Sequence, residues 1–193
     1  WATATGLATV AVGADGKYIS ECYNFTDFCI KLTRGSAEGC ARCEKCDREG
    51  SGVYHCHAGL IDFGIPLVVN GEKVGSVIGG QVLPESPDES KFRQVAREIG
   101  VDEDTYIAAL HKVNVRTEEA IRASAELLGE VLNNFINAEY ETKKKEYEII
   151  TKYSQLGISM SMPIEFGTCN ESRNVYMLLS WVEGRDLEEV LPK

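Results

Sequence analysis

No run in this 193-residue chain approaches the roughly 18 consecutive apolar residues that a membrane-crossing helix needs, so no helical span is expected. Clustered positive charge is also missing. Lys and Arg number 20 against 30 Asp and Glu, a formal net charge of -10, and no basic run is interleaved with aromatics. Nucleic acid is therefore not an expected partner of this region. Neither G-x-S-x-G nor G-x-x-x-x-G-K-[ST] occurs. The strained nucleophile turn and the phosphate-cradling loop are thus both absent, and catalysis is not expected. An initial methionine is lacking too; starting at Trp1, the chain reads as a fragment or processed product. The seven cysteines are an odd number, which excludes complete internal pairing. With 44% hydrophobic residues, a chain of this length can bury a core without disulfide staples. Free thiols in a reducing cytoplasm are the expectation.

What the chain does have is concentrated between Cys40 and Gln81: four cysteines, two of the three histidines and the most strand-like sequence. Upstream, residues 4–12 read as a strand, and Asp15-Gly16 as a hairpin turn into a short strand at Tyr18 and Ile19. Phe25, Phe28, Cys29 and Leu32 recur at i, i+3, i+4 and i+7, which predicts an amphipathic helix over 24–32. A helix over 36–47 follows, capped by Ser36. Residues 53–69 read as strand material bent at Gly59. From Ile61, every second residue (Ile61, Phe63, Ile65, Leu67, Val69) is apolar and shares one face. Asn70-Gly71 predicts a type I′ hairpin into a strand over 73–83. Helices are expected over 90–99 and 103–113, then a long one from Thr117. In that long helix Ile121, Leu128 and Phe135 lie seven apart, with Ala125 and Leu132 between them. The seam covers about two heptads, which leaves both packing on its own domain and a homodimer or signalling helix open. The order of elements makes this an α+β protein. It is PAS-like, an antiparallel sheet flanked by helices, with a long C-terminal helix and a small β-containing tail.

C-x₂-C-x₂-C at Cys40, Cys43 and Cys46 offers thiols from one helix, and Cys56 offers another from the following strand. Alternation along that strand sends His55 and His57 to the face opposite Cys56. Four such thiols (Cys29, Cys43, Cys46, Cys56) are candidate ligands for Zn²⁺ or an iron-sulfur cluster. Cysteine is also a common buried filler, so plain core thiols around a ligand pocket are the competing reading. Asp62 reads either as a buried carboxylate or as a solvated strand residue.

The strings N-F-T-D-F-C, G-C-A-R-C-E-K-C-D, Y-H-C-H-A-G-L-I-D-F-G-I-P-L-V-V and G-x-x-x-G-G-Q-V closely resemble the PocR sensory domain, over about residues 2–140, and residues 1–140 are expected as one sensory domain. That resemblance implies a PAS-related fold in a prokaryotic cytoplasm. It also implies a sensory, non-catalytic role: binding a small hydrocarbon derivative such as a short diol, with an attached or partner output domain. By match to the motif it implies Cys29, Cys43, Cys56, His57 and Gln81 as pocket residues; Phe25, Phe28 and Asp62 complete the ligand-binding set expected from the pattern. The link between Asp47 and Tyr54 is shorter than usual for the family, which implies an abbreviated lid. Residues 141–193, through K-E-Y-E-I-I, L-G-I-S-M-S-M-P-I-E-F-G-T-C and V-Y-M-L-L-S-W-V-E-G, resemble a lobe fragment of an aminoglycoside-phosphotransferase-type kinase. The hinge would carry Ser180, Trp181 and Glu183. Such a kinase's phosphate loop, strand lysine and catalytic aspartate have no counterpart here, so phosphoryl transfer is not expected. Two functions stay open: a small-molecule sensory module, and a cysteine-ligated metal or redox sensor.

Overall fold

The structure, a computed structural model, describes residues 1–157, 160–169 and 174–182. They fall into two compact units, residues 1–134 and 135–193.

The first unit opens with one helical turn, α1 (Ala2–Thr5), and the strand β1 (Ala8–Val12). Three more strands, β2 (Gly52–His55), β3 (Ile61–Val69) and β4 (Glu72–Val82), join it in an antiparallel sheet of order β1-β4-β3-β2. Asn70 and Gly71 both have positive φ, 50° and 83°, as a type I′ turn between β3 and β4 requires. The predicted alternation is present. Ile61, Phe63 and Ile65 face one cluster with Leu7, Val77 and Val82, and Leu67 packs against it. The opposite face carries Val10, Val12 and Ile78, with Tyr18, Cys22 and Phe25 against them.

Four expected elements differ. The strand over 4–12 begins only at Ala8, because Ala2–Thr5 wind into α1, and the short strand at Tyr18 and Ile19 is a single bridge from Tyr18 to Val12. The strand over 53–69 is a hairpin: β2 ends at His55, and Cys56 N–H to Leu60 O and Gly59 N–H to Cys56 O, both 2.9 Å, close the reversal. Gly59, at φ 86°, takes a left-handed conformation that a side chain would strain. The helix over 24–32 shrinks to a π-helical turn, Phe28–Thr33, and Asn24 at φ 55° cannot begin a right-handed helix. Its i→i+5 winding shows in Arg34 N–H to Cys29 O at 2.9 Å. The turn is locked by the Thr33 hydroxyl, which donates to Phe28 O at 2.8 Å and meets the Tyr106 hydroxyl at 2.9 Å.

Helix α2 (Ala37–Glu49) starts where expected, because Ser36 Oγ accepts from Gly39 N–H at 3.0 Å. Next come α3 (Glu89–Ile99) and α4 (Glu103–Leu110), each capped by the aspartate before it. Their apolar faces enclose Phe28, Leu60, Phe92, Tyr106 and Leu110 in a core cluster of their own. The long helix α5 (Glu118–Ser154) lays Ile121, Ala125 and Leu128 on the sheet, with Leu132 against them. Phe135 leaves that seam and is 65% exposed, because a helix of 3.6 residues per turn drifts off a seven-residue repeat.

In the second unit, β5 (Pro163–Cys169) and β6 (Asn174–Leu179) form an antiparallel pair. The Tyr140 and Tyr147 rings pack on Phe166 with centroids 5.8 and 5.6 Å away. Glu183 lies outside the described residues. Among the described residues no helix is long and apolar enough to cross a membrane.

Candidate functional site

The site is built around an irregularity in β4. Ile61 pairs with Val82 and Asp62 with Gly80, leaving Gln81 as an extra residue. Gln81 sits at φ 56° and Gly80 at φ 116°. A side chain on Gly80 would come within 2.6 Å of Ile61 O and 2.7 Å of Asp62 Cα, so glycine is required there. The bulge turns the Gln81 backbone N–H toward Asp62 Oδ1, which accepts it at 2.8 Å. Gln81 Oε1 accepts from both the N–H and the hydroxyl of Thr26, at 3.0 and 3.2 Å, and so ties the segment before the π-turn to the sheet.

Around this bulge lies a hollow of about 30 Å³. Phe25, Cys29, Cys43, Cys46, Cys56, His57, Asp62 and Gln81 all line it; of the expected ligand-binding residues only Phe28 stands elsewhere, and Cys40 of the C-x₂-C-x₂-C run turns to Glu44 instead. Phe28 is fully buried against Phe92 and Tyr106, with centroids 6.1 and 4.3 Å away, and serves as a pillar of the helical core. The π-turn separates the two phenylalanines: Phe25 packs on Tyr18 at 5.8 Å, on the hollow side.

His57 joins the cysteines, contrary to the alternation expected of it. Its Nε2 lies 3.2 Å from Cys43 Sγ, because residue 57 belongs to the reversal after β2 and is not bound by strand alternation. His57 Nδ1 is buried with no hydrogen-bond partner among the described residues.

Among the lining residues that escaped the sequence reading are Tyr18, Arg34 and Asp47. Arg34 and Asp47 form a mostly buried ion pair, and the Arg34 guanidinium lies over the Tyr18 ring at 4.2 Å from its centroid. Asp47 had a legible signal, since it follows Cys40 and Cys43 at helical spacing on the same side of α2. Arg34, just beyond the π-turn, had none.

Burial sets the charge states. It pushes the Asp62 carboxyl up to about 7, against the Gln81 amide bond that favours the carboxylate. It pushes Asp47 up to about 6, against the neighbouring Arg34. Burial also raises every lining thiol, Cys43 to about 12 and Cys29 and Cys56 well above the ordinary thiol value. His57 is lowered, first by burial and then by Arg42 and Arg34, and is neutral at pH 7. Protonated thiols are poor nucleophiles. Among the described residues, moreover, no three His, Cys, Asp or Glu side chains are grouped to hold a metal ion. The thiols and imidazole therefore form a neutral, hydrogen-bonding lining, with one compensated ion pair at its edge.

Residues 1–140 match the family described as the sensory domain found in PocR. The chain is 47% identical over 91 residues to the regulatory protein PocR of Salmonella typhimurium (strain LT2), a stretch covering 42% of this chain and 30% of that protein. It thus spans less than a third of the length of the curated relative it matches. No solved structure matches the chain.

Proposed function

Since the chain belongs to the family of PocR sensory domains, we propose that it is the input module of a prokaryotic signal-transduction protein and binds a small hydrocarbon derivative in the hollow beside the Gln81 bulge. What supports this reading is the convergence of the family's motif residues, from four separate segments, on one cavity. A hollow of about 30 Å³ offers room for roughly two waters, so its ligand has only a few non-hydrogen atoms, as short diols do. Val10, Phe25 and Ile78 would meet the apolar part. Gln81 and Asp62 would hold the polar end, and a neutral lining suits a neutral ligand.

Occupancy would bias the packing of α5 on the sheet and pass to an output domain in the cytoplasm, with α5 also available to pair two chains. The module performs no chemistry of its own in this reading, since burial keeps its thiols protonated even where His57 meets Cys43. Isothermal titration of the chain with 1,2-propanediol, ethylene glycol and 1-propanol tests it. Saturable heat that is lost in Gln81→Ala supports the proposal. No heat with any of the three, together with unchanged amide NMR signals around the hollow, removes it.

A further inference from the structure

Behind the hollow lies an outer cleft of about 380 Å³ that belongs to neither the bulge nor its ligand. The two spaces share one wall, Cys56, His57 and Ala58, only a single backbone segment thick. The floor is apolar: Leu83 and Phe92 are buried, and Val95 extends it along α3. The far side is the stretch from Pro84 to Pro87, whose two fixed proline φ angles hold its shape without ladder bonds. This volume falls within the range of small-molecule sites, whereas the hollow is an order of magnitude smaller.

Charges on the rim decide what the cleft can accept. Lys91 is 4.0 Å from Asp88, and Asp88 is already committed to capping α3 through Ser90. Glu85 adds a second carboxylate, so the rim repels an anion while its one lysine is balanced. The wall also carries His57 Nδ1, which has no partner among the described residues. A buried polar atom left unsatisfied in a wall between two spaces is where a bound molecule finds a hydrogen bond.

We infer that the outer cleft is a second small-molecule site, for an uncharged, largely apolar molecule with a hydrogen-bonding group, larger than anything the hollow can hold. The inference does not depend on what the hollow binds. N-phenyl-1-naphthylamine, an uncharged dye that brightens in apolar sites, is a suitable probe. Titrated into the intact chain it should give a saturable rise with one site per molecule. The anionic analogue 1-anilinonaphthalene-8-sulfonate should bind about tenfold more weakly or worse. Ser86→Trp, at an exposed position on the cleft wall, should abolish the rise without altering the circular-dichroism spectrum. Amide NMR shifts on adding the dye should cluster at Ala58, Gly59, Phe92 and Val95. This mapping decides the matter even if Ser86→Trp folds poorly. The site is refuted if the rise is not saturable, if the sulfonate binds equally well, if folded Ser86→Trp retains the signal, or if the shifts map to the exposed Leu127 and Val131 of α5.

Discussion

His57 Nε2 and Cys43 Sγ stand 3.2 Å apart and join α2 to the reversal between β2 and β3. With the thiol pushed up to about 12 and the imidazole lowered, the pair is neutral, and the thiol proton or a ring proton is shared between them. Imidazole NMR should therefore show a His57 titration midpoint below 6.5. A base whose folded pKa is depressed stabilises the fold above the unfolded value, and that contribution is lost as pH falls through the folded one. Cys43→Ala should leave Nε2 without its partner and shift the His57 ring signals, while those of His55 stay in place.

Asp62 acts in the opposite sense. Its carboxyl sits at about 7 in the folded chain, above the ordinary 3.8, so the folded state holds its proton more tightly. The stability it contributes is complete below about pH 4 and is lost as pH rises toward 7 and beyond. At ~1.4 kcal/mol for each tenfold change in proton affinity, the swing is on the order of 4 kcal/mol. Urea unfolding at pH 5 and pH 8 should show the native chain weaker at pH 8. Asp62→Asn should remove most of that difference, leaving the smaller part due to Asp47, which titrates in the same direction.

The Arg34–Asp47 pair is mostly withdrawn from water, and Arg34 also covers Tyr18. Arg34→Ala leaves a buried carboxylate without its counter-charge, which should cost about 3–5 kcal/mol in chemical denaturation at pH 7. The double variant Arg34→Ala with Asp47→Ala should recover part of the loss. If instead the two single effects simply add, the pair is not coupled in the folded chain.

Two neighbouring leucines on α5 test which of its faces meets the sheet. Leu128 is buried with Ile61 and Phe63, whereas Leu127 is 59% exposed. Leu128→Ala should lower stability by about 2–5 kcal/mol, and Leu127→Ala by no more than about 0.5 kcal/mol. A large loss from Leu127→Ala would mean that a second chain covers that face.

The sheet was legible because its signals are local. Alternation from Ile61 to Leu67 and the Asn70-Gly71 turn each depend on a few adjacent residues, and both are found as read. Helix starts were legible for the same reason, since Ser36 and Thr117 cap through their own side chains. The site was legible in composition but not in geometry. Assigning His57 to a strand put it on the wrong side of Cys56, because the reversal at residues 56–60 is set by its own backbone bonds and by the left-handed Gly59. Phe25 and Phe28 carried a helical spacing that the π-turn dissolves. Arg34 finds Asp47 only through the tertiary fold, and no pattern around residue 34 announces it.

Strand parity gives the Gln81 bulge its largest consequence. Val77 and Gly79 point toward α5 and Ile78 points away, so an unbroken β4 would aim residue 81 into the helix-covered core and residue 82 at the cavity. The one extra residue swaps them: Val82 goes to the core and the amide of Gln81 to the cavity. Were the strand to run unbroken with every residue kept, a valine methyl would wall the cavity and a carboxamide would lie buried under α5, with no change in composition. Which side chain faces the cavity is thus settled by counting along a strand.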